Sequence, residues 1–343
     1  MSRAATRVPT RAPLEQRIGE FGASRAPFLI WCLLVLGGTA ALVCAMVPVG
    51  PSWLGTVGSM VIVTTYSWAL ATRTGGRPFI FGTLALVCAV VAVLSDQDVL
   101  LTGAAVSTSA VAAVLGVMVT VPAAGFVASV RECVVALVCA GIGAMATIGF
   151  EPAIQKERFE YVALGLSLVC VLVLVHRLGA GLHGLGRRGV LVVVIGSVLL
   201  AVTLLYAELL RRYGSNGLVD ELLSWVTWTR ENLGAFPRPI ETLVGVPALA
   251  YGCHMRARRR QGWWVTAFGV AATSPTATAL ANPAVTVTEA TLSVVYGLGV
   301  GLVLGFLLIR LDLALTGNRG RRSRVAERAS AVRPEPKRFS PLL

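Results

Sequence analysis

The chain has 343 residues, a mean hydropathy of +0.75, 55% apolar residues and only 14% charged ones, where a soluble domain carries roughly 25%. Burying apolar runs this frequent on every side would leave no wettable surface, so a water-soluble fold is excluded. The net charge of +13 rests on 28 arginines and 2 lysines against 17 acids. No polar stretch is long enough to bury a core, which removes a soluble catalytic domain and the folded basic platform that nucleic-acid binding needs.

Residues 1–26 form a basic tail carrying Arg3, Arg7, Arg11, Arg17 and Arg25, with a short helical pattern at "PLEQRIGEF". Apolar runs then recur near the length of about 20 residues that crosses a ~30 Å hydrocarbon layer as a helix. They predict spans at Pro27–Val47, Trp53–Ala71, Pro78–Leu94, Val99–Val119 and Cys133–Phe150. Five more are predicted at Tyr161–Leu178, Val190–Ala207, Pro239–Met255, Gly262–Ala281 and Ala290–Ile309. The first run lacks a small-residue cleavage site and reads as a retained span rather than a signal peptide. Residues 27–310 are thus the transmembrane domain, and 311–343 read as a basic tail without packed structure.

Between the seventh and eighth spans, residues 208–238 contain "NGLVDELLSWVTWTRENLGAF". Leu218, Val219, Leu222, Val226 and Leu233 fall broadly on one helical face, with Asp220, Ser224, Thr227 and Glu231 on the other. With Trp225 and Trp228 added, this predicts an amphipathic helix lying in the membrane interface. The fold class expected is all-α: a polytopic bundle of about ten spans with one external interfacial helix.

Charge gives the bundle a direction. The two tails and the even-numbered loops hold 24 Lys/Arg and 6 Asp/Glu, whereas the odd-numbered loops hold 6 and 11. Basic residues near short loops resist translocation, so both termini are expected in the cytoplasm, with the chain in the plasma membrane. "CHMRARRRQGWW" (253–264) then reads as the cytoplasmic loop before the ninth span, with Trp263 and Trp264 at headgroup depth. Its arginines, with the tails, are expected to attract anionic lipid headgroups at about 1 kcal/mol per basic residue.

Few residues point to chemistry. Arg211, Arg212, Arg230 and Arg238 are four of the six basic residues on the external side, and guanidinium groups bind phosphate bidentately. Glu208 stands three and four residues before Arg211 and Arg212, and Glu231 follows Arg230, so pairing competes with ligand binding. Glu289 is the acid nearest to the interior of a span. No charge is expected at mid-bilayer, which argues against obligate proton coupling. Span four carries Thr102, Ser107, Thr108 and Ser109. Span nine carries "TSPTAT", with Thr273, Ser274, Thr276 and Thr278 around Pro275, which removes a backbone donor and predicts a kink or break there. Broken helices of this kind line cavities in transporters. Gly297, Gly301 and Gly305 form a small-residue ridge for helix packing, internal or in a homodimer. The seven cysteines lie within or beside apolar runs, and with three histidines they show no metal-binding spacing. No nucleotide-binding loop, nucleophile elbow or zinc-helix motif is present, so no cofactor and no metal is expected.

The reading that follows is a transporter or flippase-type permease for a small molecule or lipid. Ten spans divide into five plus five, a layout that permits inverted repeats. One alternative is an envelope enzyme acting on polyprenyl-linked sugars at the outer face. Its arginine-bearing external loop makes the layout loosely similar to that of O-antigen polymerase and ligase proteins, over that loop and its neighbours. A second alternative is a non-catalytic scaffold or partner subunit. The orientation is checked by single cysteines in a background lacking the native ones. Thr227→Cys should react with a membrane-impermeant thiol reagent on intact cells, and Arg258→Cys only after permeabilisation; the reverse pattern refutes it.

Overall fold

The computed structural model describes residues 26–153, 156–178, 186–213, 216–258, 262–316 and 335–342. Among them the chain is all-helical, with no strand. The helices are α1 (Ala26–Met46), α2 (Leu54–Arg73), α3 (Pro78–Ser95), α4 (Asp98–Met118), α5 (Phe126–Ile148), α6 (Lys156–Arg177), α7 (Gly186–Tyr213) and α8 (Asn216–Leu233). A π-helical turn at Glu241–Gly245 leads into α9 (Val246–Arg256), and α10 (Gly262–Ala267), α11 (Val270–Ala277) and α12 (Val287–Thr316) complete the fold. Seven of these helices are long and apolar enough to cross a membrane: α1 to α5, residues 158–177 of α6 and residues 287–314 of α12. The chain is therefore a multi-pass membrane protein. The seven match the first six predicted spans and the tenth. The seventh predicted span falls on α7, whose apolar stretch is the shorter Val194–Tyr206.

Helix α5 starts seven residues before the predicted span, so Arg131 and Glu132 lie inside it rather than in a loop. The segment predicted to be an amphipathic helix is helical as α8. Its Trp225 and Trp228 are 66% and 59% exposed, while the side chains of Leu218, Val219 and Leu222 lie outside the described ones. The basic tail 1–25 also lies outside the described residues.

Large apolar side chains of α1 and α3, such as Leu33, Leu36, Phe79 and Leu94, point outward, as lipid-facing residues must. The interior is built instead from α9, α10 and α11, which pack against α4, α5, α6 and α12. The eighth span, expected as one helix, and the ninth, expected to kink or break at Pro275, are both interrupted, the ninth at a different place. At the π turn the Val246 amide donates to the Glu241 carbonyl, one residue further back than in an α-helix. The cause stands just after it: Pro247 has no N–H for an α-type bond to Leu243, so the chain widens ahead of the proline.

The ninth predicted span breaks at Phe268–Gly269 and not at Pro275, which sits inside α11. Phe268, Gly269, Ala271 and Ala272 each donate to the carbonyl three residues back, a tightened run that ends the α pattern. Leu249 of α9 is pressed against Gly269 where a side chain would otherwise stand. Irregular backbone at membrane depth is tolerated only when protein encloses it, and every residue of α10 is buried.

This packing also corrects the reading of the aromatic pair. Trp263 and Trp264 are 4% and 7% exposed, so they belong to the core and not to a headgroup belt. Arg256 likewise is fully buried, its guanidinium 3.5 Å from the centre of the Trp263 ring.

A third difference concerns the C-terminus. The tail predicted to be unpacked returns to the bundle at residues 335–342, where Phe339 meets the rings of Phe28 and Trp31 at centroid distances of 5.2 and 4.8 Å. The Leu342 amide donates to the Arg73 carbonyl over 3.0 Å.

Backbone contact in the interior requires glycine at position 245, where a Cβ would overlap the backbone of Ala271 and Ala272. At Gly141 a Cβ would meet nothing within 4 Å. Gly245→Ala should therefore destabilise by about 1–3 kcal/mol. Gly141→Ala should stabilise slightly, by about 0.5–1 kcal/mol. Thermal melts of the purified variants in one detergent check the pair.

Candidate functional site

The two ends of the bundle differ in chemistry. At one end, where α6, α9 and α12 begin and α11 finishes, a cavity of about 310 Å³ opens. Its wall takes Arg230 from α8, Phe236, Arg238, Pro239 and Ile240 from the connection into the π turn, Ser274 and Pro275 from α11 with Thr278 just after it, and Glu289 and Ser293 from α12. Glu160 and Asn282 complete its polar lining.

Five residues singled out in the sequence thus converge here: Arg230, Arg238, Ser274, Thr278 and Glu289. Thr273 and Thr276 do not. The Thr273 hydroxyl donates to the Ala113 carbonyl of α4 at 2.9 Å, and that of Thr276 to Ala272 within its own helix at 2.9 Å. Arg211 and Arg212 lie in the last turn of α7, and their side chains are outside the described ones. Glu160, at the end of the charged run KERFE, and the single polar residues Asn282 and Ser293 carry no local signal for a shared site; only folding brings them to one wall.

The charges in the cavity are cross-braced. Arg230 pairs with Glu289 at 3.4 Å, across two elements, and not with its sequence neighbour Glu231. Consecutive residues of a helix point in different directions, so adjacency is a poor guide to pairing. With Arg230 58% exposed, the bridge contributes at most about 1 kcal/mol. The Arg238 guanidinium donates to the Pro275 carbonyl, tying the entry of the π turn to α11. The Ser293 hydroxyl donates to the Phe236 carbonyl at 2.8 Å, and Tyr296 to that of Leu233 at 2.9 Å, fastening α12 to the same connection. The wall therefore offers two guanidinium and two carboxyl groups around hydroxyl and amide side chains.

Immediately behind this wall lies Glu241, the residue after Ile240. It is fully buried, and among the described residues neither carboxyl oxygen has a hydrogen-bond partner. No sequence signal singled this acid out as a candidate. The sequence put Glu241 near the start of the eighth predicted span, and only the packing of the π turn against α12 carries it inside. The glycine ridge of α12 is the surface it meets: Gly297 faces Glu241, Gly301 faces Val246 and Gly305 faces Ala250. The ridge is thus used within the chain.

At the other end, the finishing turns of α2, α4 and α9 meet the start of α5 and the returning C-terminal segment. The Glu132 carboxylate is fully buried and takes both guanidinium nitrogens of Arg338 at 2.8 and 2.9 Å. It also accepts from Arg131 and from the Val121 amide, each at 2.9 Å. Arg73 donates to the carbonyls of Met118, Lys337 and Ser340, at 3.0, 2.7 and 2.8 Å. Arg256 donates to the Thr120 hydroxyl and to Glu335, both at 2.7 Å. A buried ion network of this kind holds geometry only while each member is satisfied.

A larger, mostly apolar cavity of about 1010 Å³ runs between α2, α3, α4 and α6, with Ser107, Thr108 and Arg177 among its few polar residues. The hydroxyls of Thr108 and Ser109 are committed to backbone carbonyls of their own helix, and that of Thr102 to the Ala153 carbonyl. Three of the four hydroxyls of this patch are thus bonded to backbone carbonyls, and Ser107 and Thr108 line the cavity.

Comparison of the chain with protein-family models, with curated proteins and with solved structures finds no match.

The ion network makes a measurable claim. Arg338→Ala removes two of the four donors to a buried carboxylate, and should destabilise by about 3 kcal/mol, the lower end for a broken buried pair because Arg131 remains. Pairing it with Glu132→Gln should recover part of that loss. Thermal melts of the single and double variants check this, and additive losses would refute the coupling.

Proposed function

We propose that the protein is a plasma-membrane permease for a small polar solute carrying both positive and negative groups, with the cavity as its outward-facing binding site. The observation that carries the reading is the combination of that cavity with the interrupted helices beside it. Discontinuous helices enclosed by continuous ones form the substrate sites of many secondary transporters, because broken backbone can line a polar path only where protein shields it from lipid. A volume of about 310 Å³ suits a small organic solute. Paired guanidinium and carboxyl groups favour a zwitterion over a simple anion, since a bound ammonium and carboxylate would exchange with the Arg230–Glu289 bridge.

The same reading counts ten crossings. Glu241–Arg256 and Gly262–Ala277 would each extend about 24 Å if fully helical, short of a lipid-facing span but adequate for a segment sheathed in other helices. Both termini then face the cytoplasm, the cavity opens outward, and α8 lies at the outer interface. The alternative of an outer-face enzyme on polyprenyl-linked sugars is the weaker one. The carboxyl groups of Glu160 and Glu289 in the same wall would repel a diphosphate.

Purified protein in proteoliposomes should take up one member of a panel of labelled amino acids and related zwitterions. Arg238→Ala and Ser274→Val should reduce the initial rate of that uptake by tenfold or more, on the order of 1.4 kcal/mol in transition-state terms. Ser274→Cys should be alkylated by an impermeant reagent and protected by the same solute. Uptake of no panel member, or full activity in both cavity variants, would count against the permease.

A further inference from the structure

We propose that Glu241 is a proton-binding site, and that, on the permease reading, it couples solute movement to proton movement. Four observations converge on it. Its carboxyl is fully buried with both oxygens unpartnered among the described residues. Only Ile240 separates it in sequence from the cavity, which Ile240 lines. It sits at the first position of a π turn, and such turns, with one residue more than an α turn, recur at functional sites. It is pressed against Gly297, where a Cβ would stand 3.0 Å from its Cδ and Oε1.

The surroundings specify which form of the acid fits. The π turn packs against α7, α9, α11 and α12. From α7 come Leu200 and Leu204 to the adjoining apolar cluster, from α11 Ala271, and from the turn itself Val244. Helix α12 supplies Gly297, with Ser293 one turn earlier and Glu289 at the cavity, where Arg230 bridges it. Among the described side chains, Arg238 is the charged group that acts on Glu241. Glu208, Arg211 and Arg212 stand further along α7, their side chains outside the described ones. A carboxylate docked against Gly297 would be an uncompensated charge, so the docked form is the neutral acid.

Turned toward the cavity, the same carboxyl would meet Arg238, whose guanidinium compensates a carboxylate. The wide turn supplies the freedom for that exchange without unwinding α9. The proton balance is simple: a carboxyl O–H bond forms with a proton from water in the cavity as the side chain docks. That bond breaks, returning the proton to water, when the segment next faces an aqueous side. Arg238 and the π turn thus link occupancy of the cavity to the protonation of Glu241.

The test uses the full chain in lipid nanodiscs and infrared difference spectra between acidic and alkaline buffer. Wild type should show the carbonyl stretch of a buried protonated carboxylic acid. Glu241→Gln should abolish it, the exposed Glu221→Gln should leave it in place, and Gly297→Ala should shift it by crowding the carboxyl. A band that survives Glu241→Gln, or that Glu132→Gln removes instead, overturns the proposal. So does the absence of any such band. In proteoliposomes with the membrane potential clamped, one proton per solute makes a one-unit pH gradient drive about tenfold accumulation. Glu241→Gln should lose that accumulation while still exchanging labelled for unlabelled solute. Wild-type uptake that ignores the gradient refutes the coupling. If wild type carries no panel solute, the permease reading fails, and the infrared band still decides whether Glu241 binds a proton.

Discussion

Hydrocarbon offers no hydrogen bonds, so every amide and carbonyl that leaves the α pattern at membrane depth must be enclosed by protein. This requirement explains why α9, α10 and α11 lie inside the bundle and why continuous helices surround them. The π turn and the tightened run between Val265 and Thr273 both depart from regular helix, and both pack against α-helical neighbours. Enclosure in turn demands small residues at the contacts, which is the role of Gly245 against Ala272 and of the Gly297, Gly301 and Gly305 ridge against the π turn and α9. The polar cavity opens where this irregular seam reaches the end of the bundle.

The opposite end is closed by charge rather than by small residues. Glu132 pairs with Arg338 and Arg256 with Glu335, and Arg73, Arg338 and Arg256 donate to the carbonyls of Met118, Val119 and Thr120 at the end of α4, while Phe339 sits against Phe28 and Trp31. Helix C-termini leave four carbonyls each without partners, and these guanidinium groups supply donors to several of them. The arginines near the loops therefore divide into two populations. Some, such as Arg131 and Arg230, remain exposed, and others, such as Arg256, are drawn into the packing.

Much of the architecture was legible because it depends on local periodicity and composition. Seven helices of crossing length fall where apolar runs near 20 residues had placed them, and the segment expected to be an amphipathic helix is helical as α8. The candidate residues around Pro275 and Arg230 were legible as polar groups in unusual places, and five of them line one cavity. The departures share one cause. Pro275 carries a strong local signal for a break, yet the break falls at Gly269, where Leu249 from another helix presses on the chain. Trp263 and Trp264 look interfacial from their neighbours in sequence and are buried by α9 and Arg256. Glu241 looks terminal, and becomes interior only because Gly297 lies 56 residues away in sequence and against it in space.

The amino-acid sequence alone determined that this is an all-helical membrane protein and where seven stretches apolar enough to cross lie. Those properties follow from solvent transfer and nearest-neighbour periodicity, which each segment carries by itself. Only the tertiary structure decided which helices are interrupted, which acid is buried without a partner, which scattered polar residues share a cavity, and that a C-terminal segment seals the far end. Each of these depends on contact between segments remote in sequence, where the free energy belongs to the pair and neither partner encodes it alone.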